Sequence, residues 1–139
     1  MDFNACSTAS KSPVLVVKEN KSCFEVVNSS RLSITKVKVD GCLINDARMR
    51  CDWIIEVGDP VNRALFVELK GCDVDKAIVQ LKATLVHTAA RYSESSKQCF
   101  AVTTRIPKHG DSVRKKCIDF HRSTNVTLSI RNIKSSFAV

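Results

Sequence analysis

Short apolar runs bounded by turn-forming residues, and one longer stretch of helical spacing, set the order of elements along this chain. Arg31 to Val39 alternates polar and β-branched residues (Ile34, Thr35, Val37, Val39) and predicts a strand running into the turn pair Asp40-Gly41. Cys51 to Val57 and Ala64 to Lys70 predict two more strands, and the intervening Gly58 to Arg63 has turn chemistry, so the pair should form an antiparallel hairpin. Beyond Gly71, Asp73 is placed to cap a helix in which Val74, Ala77, Ile78, Leu81, Leu85 and Ala89 recur at helical spacing to about Arg91. Gln98 to Thr104 predicts a strand that the helical crossover makes parallel to its neighbour. A basic loop (Arg105 to Gly110), a second helix (Asp111 to His121) and a last strand through Val126, Leu128 and Ile130 complete the pattern. The fold class it predicts is α/β, a mixed central β-sheet flanked by helices. Ahead of this, Val14 to Val17 and Phe24 to Val27 fit either a hairpin or a short first helix with its loop. The Ser/Thr/Lys-rich residues 1–12 predict a flexible N-terminal tail, leaving 13–139 as a single domain.

Charged residues interrupt the two hairpin strands at particular places. Removing a carboxylate or an ammonium from water costs several kcal/mol, so such groups are normally paired, protonated or metal-bound. The two-residue period puts Glu68 and Lys70 on one face of their strand, and antiparallel pairing brings Asp52 close to them. Two carboxylates at one spot repel unless a cation lies between them, and an all-oxygen, partly hydrated site suits Mg2+ or Mn2+. An ion so held is the usual form of a phosphoryl-transfer centre, where Lys70 would orient water and offset charge building on phosphate. An Asp/Glu/Lys ion-pair network without catalysis is the competing account.

Asp52, Glu68-Leu69-Lys70 and Gln80 on the following helix resemble the core of the PD-(D/E)xK nuclease superfamily, over roughly residues 31 to 104. Cys51 stands where the family pattern has proline. The resemblance implies a restriction endonuclease-like fold and a metal-dependent endonuclease hydrolysing phosphodiester bonds. Asp52 and Glu68 would be metal ligands, joined by the Leu69 carbonyl, and Lys70 would be catalytic. Gln80 would be an accessory residue, and Glu25 is the candidate for an additional acid. Dimerisation, so that two sites address two strands, is likewise only what the resemblance implies. Asp40 is a further candidate acid, although a turn position before glycine already explains it.

The net charge is +8, and 12 Lys/Arg face 5 Asp/Glu in residues 71–139 against 10 and 9 in residues 1–70. Such a field attracts polyanions, which makes nucleic acid, DNA above all, the expected partner and Arg105, Lys108, Arg114, Lys115 and Lys116 the candidate phosphate contacts. A solvated basic surface is the bland alternative, and a nuclease-fold protein that has lost catalysis and binds nucleic acid or a partner protein is the other function class. Seven cysteines without a C-x-x-C pair predict reduced, buried thiols rather than a disulfide framework, with Cys42, Cys51 and Cys72 the three nearest the site. No apolar run reaches the roughly 18 residues of a membrane span and no signal pattern opens the chain, so a cytoplasmic protein is expected.

Overall fold

The computed structural model describes residues 1–19, 22–70, 73–104, 110–132 and 134–139, with the side chains of all of these except Lys70, Asp111 and Lys134. In chain order the elements are β1 (Ser7–Ser10), β2 (Val14–Glu19), β3 (Ser22–Val27), β4 (Ile34–Lys38), β5 (Trp53–Val57), β6 (Arg63–Lys70), α1 (Val74–His87), β7 (Ser96–Thr103), α2 (Gly110–Thr124), β8 (Thr127–Asn132) and β9 (Lys134–Ala138). A six-stranded sheet runs β1-β4-β5-β6-β7-β8, antiparallel as far as β6 and parallel from β6 to β8. The expected hairpin and the expected parallel crossover through α1 are both present.

Alternation along β6 sends its side chains into two separate cores. Ala64 and Phe66 pack with Ala77 and Leu81 of α1 and Phe120 of α2, whereas Leu65, Val67 and Leu69 pack with Leu15, Val17, Phe24 and Val26. Both helices therefore lie on one face. The other face carries a second sheet, β2-β3-β9, with β3 antiparallel to β2 and parallel to β9. Flanking by helices holds on one side only, because the apolar patches around Val14 and Phe24 alternate with period two and form the hairpin rather than a helix.

Three further differences have local causes. Residues 1–12 are not simply a tail: Ser7–Ser10 pairs with β4 at the sheet edge, and Cys6 is bonded to Cys42 with Cα atoms 5.9 Å apart. Sequence spacing carried no sign of that disulfide, which joins two surface segments brought together by the sheet. The expectation of reduced cysteines holds for Cys23, Cys51, Cys99 and Cys117. Burial pushes the Cys51 and Cys99 thiols well up, as suits small core hydrophobes. Finally, α1 stops at His87 instead of Arg91, with the Thr88 hydroxyl bonded back to the Thr84 carbonyl, and the next turn buries Tyr92 against Phe66. Among the described residues no helix is long and apolar enough to cross a membrane.

Candidate metal centre

The β5–β6 register pairs Trp53 with Val67, and the Asp52 N–H continues that ladder by donating to the Val67 carbonyl at 3.2 Å, so Asp52 comes opposite Glu68. Both are buried, at 8% and 2% exposure. The Leu69 N–H donates to Asp52 Oδ2 at 2.8 Å, fixing that carboxylate at the strand end. Leu69 thus contributes its amide, where the sequence pointed to its carbonyl. The Glu68 carboxyl lies beside that of Asp52 across the strand pair. The Asp52 carboxyl titrates above the usual range. Burial is the main cause and the Glu19 and Asp40 charges add to it, against the Leu69 and Glu68 hydrogen bonds.

Two more carboxylates complete the cluster. Single oxygens of Glu19, Asp40 and Asp52 all lie within 4.8 Å of one another. Glu19 is the last residue of β2, and Asp40 sits in the turn after β4. The N–H groups of Val39 and Asp40 both donate to the Asp52 carbonyl, at 3.0 and 3.3 Å, and Gly41 at φ +80° supplies a backbone state that side-chain-bearing residues rarely adopt. Arg50 Nε donates to Asp40 at 2.9 Å. Oxygens on opposite sides of one Mg2+ stand about 4.2 Å apart and around Ca2+ about 5 Å. The donor chemistry and spacing therefore fit a hard cation, with a small closure for Mg2+. Glu19 and Asp40 are partly exposed, while Asp52 and Glu68 are buried.

Of the residues singled out in the sequence, Asp52, Glu68, Leu69 and Asp40 converge. Glu25 does not: it sits mid-strand in β3 opposite Val16, three registers and about 10 Å along the hairpin from Glu19. Glu19 was missed because it belongs to the polar stretch Lys18 to Ser22 between two apolar patches. Gln80 is half-buried on α1, with its Oε1 buried and without a hydrogen-bond partner among the described residues. Thr84, also missed, donates to the Gln80 carbonyl at 2.9 Å and accepts the Cys51 N–H at 2.8 Å, clipping α1 to the residue before Asp52. The Lys70 side chain, Arg105, Lys108 and Cys72 lie outside the described residues. Arg114 and Lys115 are exposed on α2, while Lys116 is paired with Asp75 at 2.6 Å.

A cleft of about 610 Å³ lies elsewhere, lined among others by Ser7, Ser10, Thr35, Glu56 and Arg91. There Glu56, 3% exposed, accepts from Arg91 Nε at 2.8 Å and from the Tyr92 hydroxyl at 2.7 Å. Compared with models of known families, with curated proteins and with solved structures, the chain gives no match.

Proposed function

We propose that the protein is a divalent-metal-dependent nuclease that hydrolyses phosphodiester bonds in DNA. The observation carrying this reading is the convergence of Asp52 with Glu68, Asp40 and Glu19 at one strand end, where no cation among the described side chains pairs with Asp52. The order of an acid-bearing strand, an antiparallel Glu-x-Lys strand, a helix and a parallel strand supports the PD-(D/E)xK resemblance. Asp52 and Glu68 would hold Mg2+ or Mn2+, with Asp40 and Glu19 as further oxygen donors, and a carboxyl whose pKa is raised, as that of Asp52 is, would give up its proton to bind the ion. The ion supplies Lewis-acid stabilisation of the phosphate and a more acidic water. The Leu69 N–H keeps Asp52 oriented, and Lys70 positions the water and offsets charge on the phosphate.

A second reading, a nuclease-fold protein without catalysis, draws support from the low exposure of Asp52 and Glu68. Incubation with linear, single-stranded and branched DNA in Mg2+ or Mn2+ separates the two. The nuclease reading expects cleavage that stops in chelator and in Glu68→Ala and Lys70→Ala. Products that persist in both variants, or a wild-type protein that binds metal and cuts nothing, would decide against it.

A further inference from the structure

We infer that Lys36 and Lys38, held over Trp53, form a phosphate-binding strip that leads a strand of the nucleic-acid substrate to the acid cluster; the inference rests on the nuclease reading and names where its substrate lies. The Lys36 and Lys38 Nζ atoms stand 5.5 and 5.0 Å from the centroid of the Trp53 ring. Lys38 and Trp53 are register partners across β4 and β5. The three side chains share the sheet face on which the small sheet packs, as the alternation from Ile34 and Ile55 dictates. Ile34, Ile55 and Val57 on this face are buried in the core shared with β2 and β3, whereas Lys38 is exposed and Lys36 and Trp53 are partly exposed.

Two features separate these lysines from an ordinary solvated surface. Arg48, Arg50, Arg91 and Lys116 each contact a carboxylate within 4.0 Å, but among the described residues neither Lys36 nor Lys38 has one. Two ammonium groups gathered on one ring repel each other, and an anion bridging them relieves that repulsion as a second cation never could. Their position adds direction. Lys38 precedes Asp40 by two residues, so the strip meets the cluster at Asp40 and Glu19, while the Asp52 side chain leaves its strand on the face opposite Trp53. From Lys36 to Asp40 the chain spans about 13 Å, the axial length of roughly four nucleotides of one strand. The sequence placed Trp53 in an apolar core run and drew phosphate contacts only from the second half of the chain.

Trp53 is the single tryptophan of the protein, so its fluorescence reports on this strip alone. The full chain is titrated in chelator with a single-stranded oligonucleotide labelled for anisotropy, across a series of salt concentrations, alongside Lys36→Ala/Lys38→Ala and an Arg114→Ala/Lys115→Ala control. The expected result is a saturable Trp53 response that tracks the anisotropy. The slope of log K against log salt should be shallower by about 1.4 in the Lys36/Lys38 variant, two phosphates at about 0.7 each. Binding without a Trp53 response, an unchanged slope in that variant, no binding at all, or an equal response to inorganic phosphate alone would each overturn the strip. Cleavage is scored separately in Mg2+. Cutting with no Trp53 response removes the strip and leaves the nuclease, whereas a full response in a protein that never cuts removes the nuclease and leaves a nucleic-acid contact.

Discussion

Asp52 and Glu56 project from the same face of the β5 segment, four positions apart, and both are buried, yet the protein treats them in opposite ways. Glu56 meets a guanidinium through two hydrogen bonds, at 2.8 and 3.3 Å, and a tyrosine hydroxyl, while Arg91 itself stacks 3.9 Å from the Phe3 ring centroid. Each partner answers to that charge: the carboxylate raises the Arg91 pKa, and burial followed by the hydrogen bond to Glu56 raises that of Tyr92. Among the described residues Asp52 meets one backbone N–H and otherwise carboxyls. Burial of an acid therefore does not mark a site. What distinguishes Asp52 among the described residues is its carboxylate neighbours, Glu19 and Asp40, where Glu56 has a guanidinium and a tyrosine hydroxyl.

The largest effects expected are those that set the two ends of β5 against each other. Arg91→Ala leaves Glu56 buried without its cation and should cost about 3 kcal/mol, the low end of the range for breaking such pairs because Arg91 is 38% exposed. The surviving folded molecules should cut DNA at the wild-type rate. Asp52→Asn keeps an oxygen for the Leu69 N–H and removes a charge repelled by its neighbours, so the urea midpoint in chelator should hold or rise. Cleavage should fall about a thousandfold, roughly 4 kcal/mol of transition-state stabilisation. A destabilised Asp52→Asn with full activity would reverse the assignment of the two ends.

That asymmetry was half legible in the sequence. Asp52, Glu68 and Lys70 stood out because ionised residues inside Trp53-Ile54-Ile55 and Phe66-Val67 runs conflict with burial, and the turn between the runs fixed which residues face each other. Glu19 and Asp40 reach the cluster only through tertiary packing, of β2 on the sheet and of the turn beyond β4. The Arg91 and Tyr92 partners of Glu56 are 35 and 36 residues away from it, in a segment whose apolar spacing reads as more helix. The disulfide was illegible for the same reason, since the pairing of β1 with β4 that places Cys6 near Cys42 comes from a polar Ser-Thr-Ala-Ser edge strand without hydrophobic pattern.

That disulfide sharpens the contrast from the site's side, because it holds the turn that carries Asp40. With its ends 36 positions apart in sequence, the chain-entropy model gives about 3–4 kcal/mol to be lost on Cys6→Ser/Cys42→Ser. A urea titration of the double variant measures it. Metal affinity should fall alongside stability, since Asp40 loses its tether, while the bonds of Glu56 to Arg91 and Tyr92 should survive. An unchanged midpoint would mean that the β1–β4 pairing alone fixes the edge.

Proton linkage should distinguish the ends more finely. Because the folded pKa of Asp52 is raised, the native state binds more protons than the unfolded chain from about pH 3.9 up to that raised value. Its contribution is fully present below this window and is lost as pH climbs through it, with a slope approaching about 1.4 kcal/mol per pH step of one. In chelator, wild-type stability relative to Asp52→Asn should therefore decline with rising pH. Mg2+ should abolish the decline by taking the place of the proton, and metal affinity should grow over the same window. A difference that stays flat in chelator would mean that Asp52 carries no such proton.

The smallest effect concerns Gln80, whose buried Oε1 has no hydrogen-bond partner among the described residues. An acceptor buried without a donor costs about 1–3 kcal/mol, and nothing in its own helix offsets this, since the Gln80 carbonyl, not its amide, receives the Thr84 hydroxyl. Gln80→Met keeps the volume and removes the orphan, so in chelator the protein should gain about 1 kcal/mol. With metal and DNA present the gain should vanish, because the wild-type amide then finds a donor in the assembled site. Thr84→Val is the paired control: it strips the Cys51 N–H of its acceptor and should cost about 1–2 kcal/mol under both conditions. If Gln80→Met instead loses stability in chelator, the oxygen already has a partner, and only the carboxylate end of β5 is left waiting for a ligand.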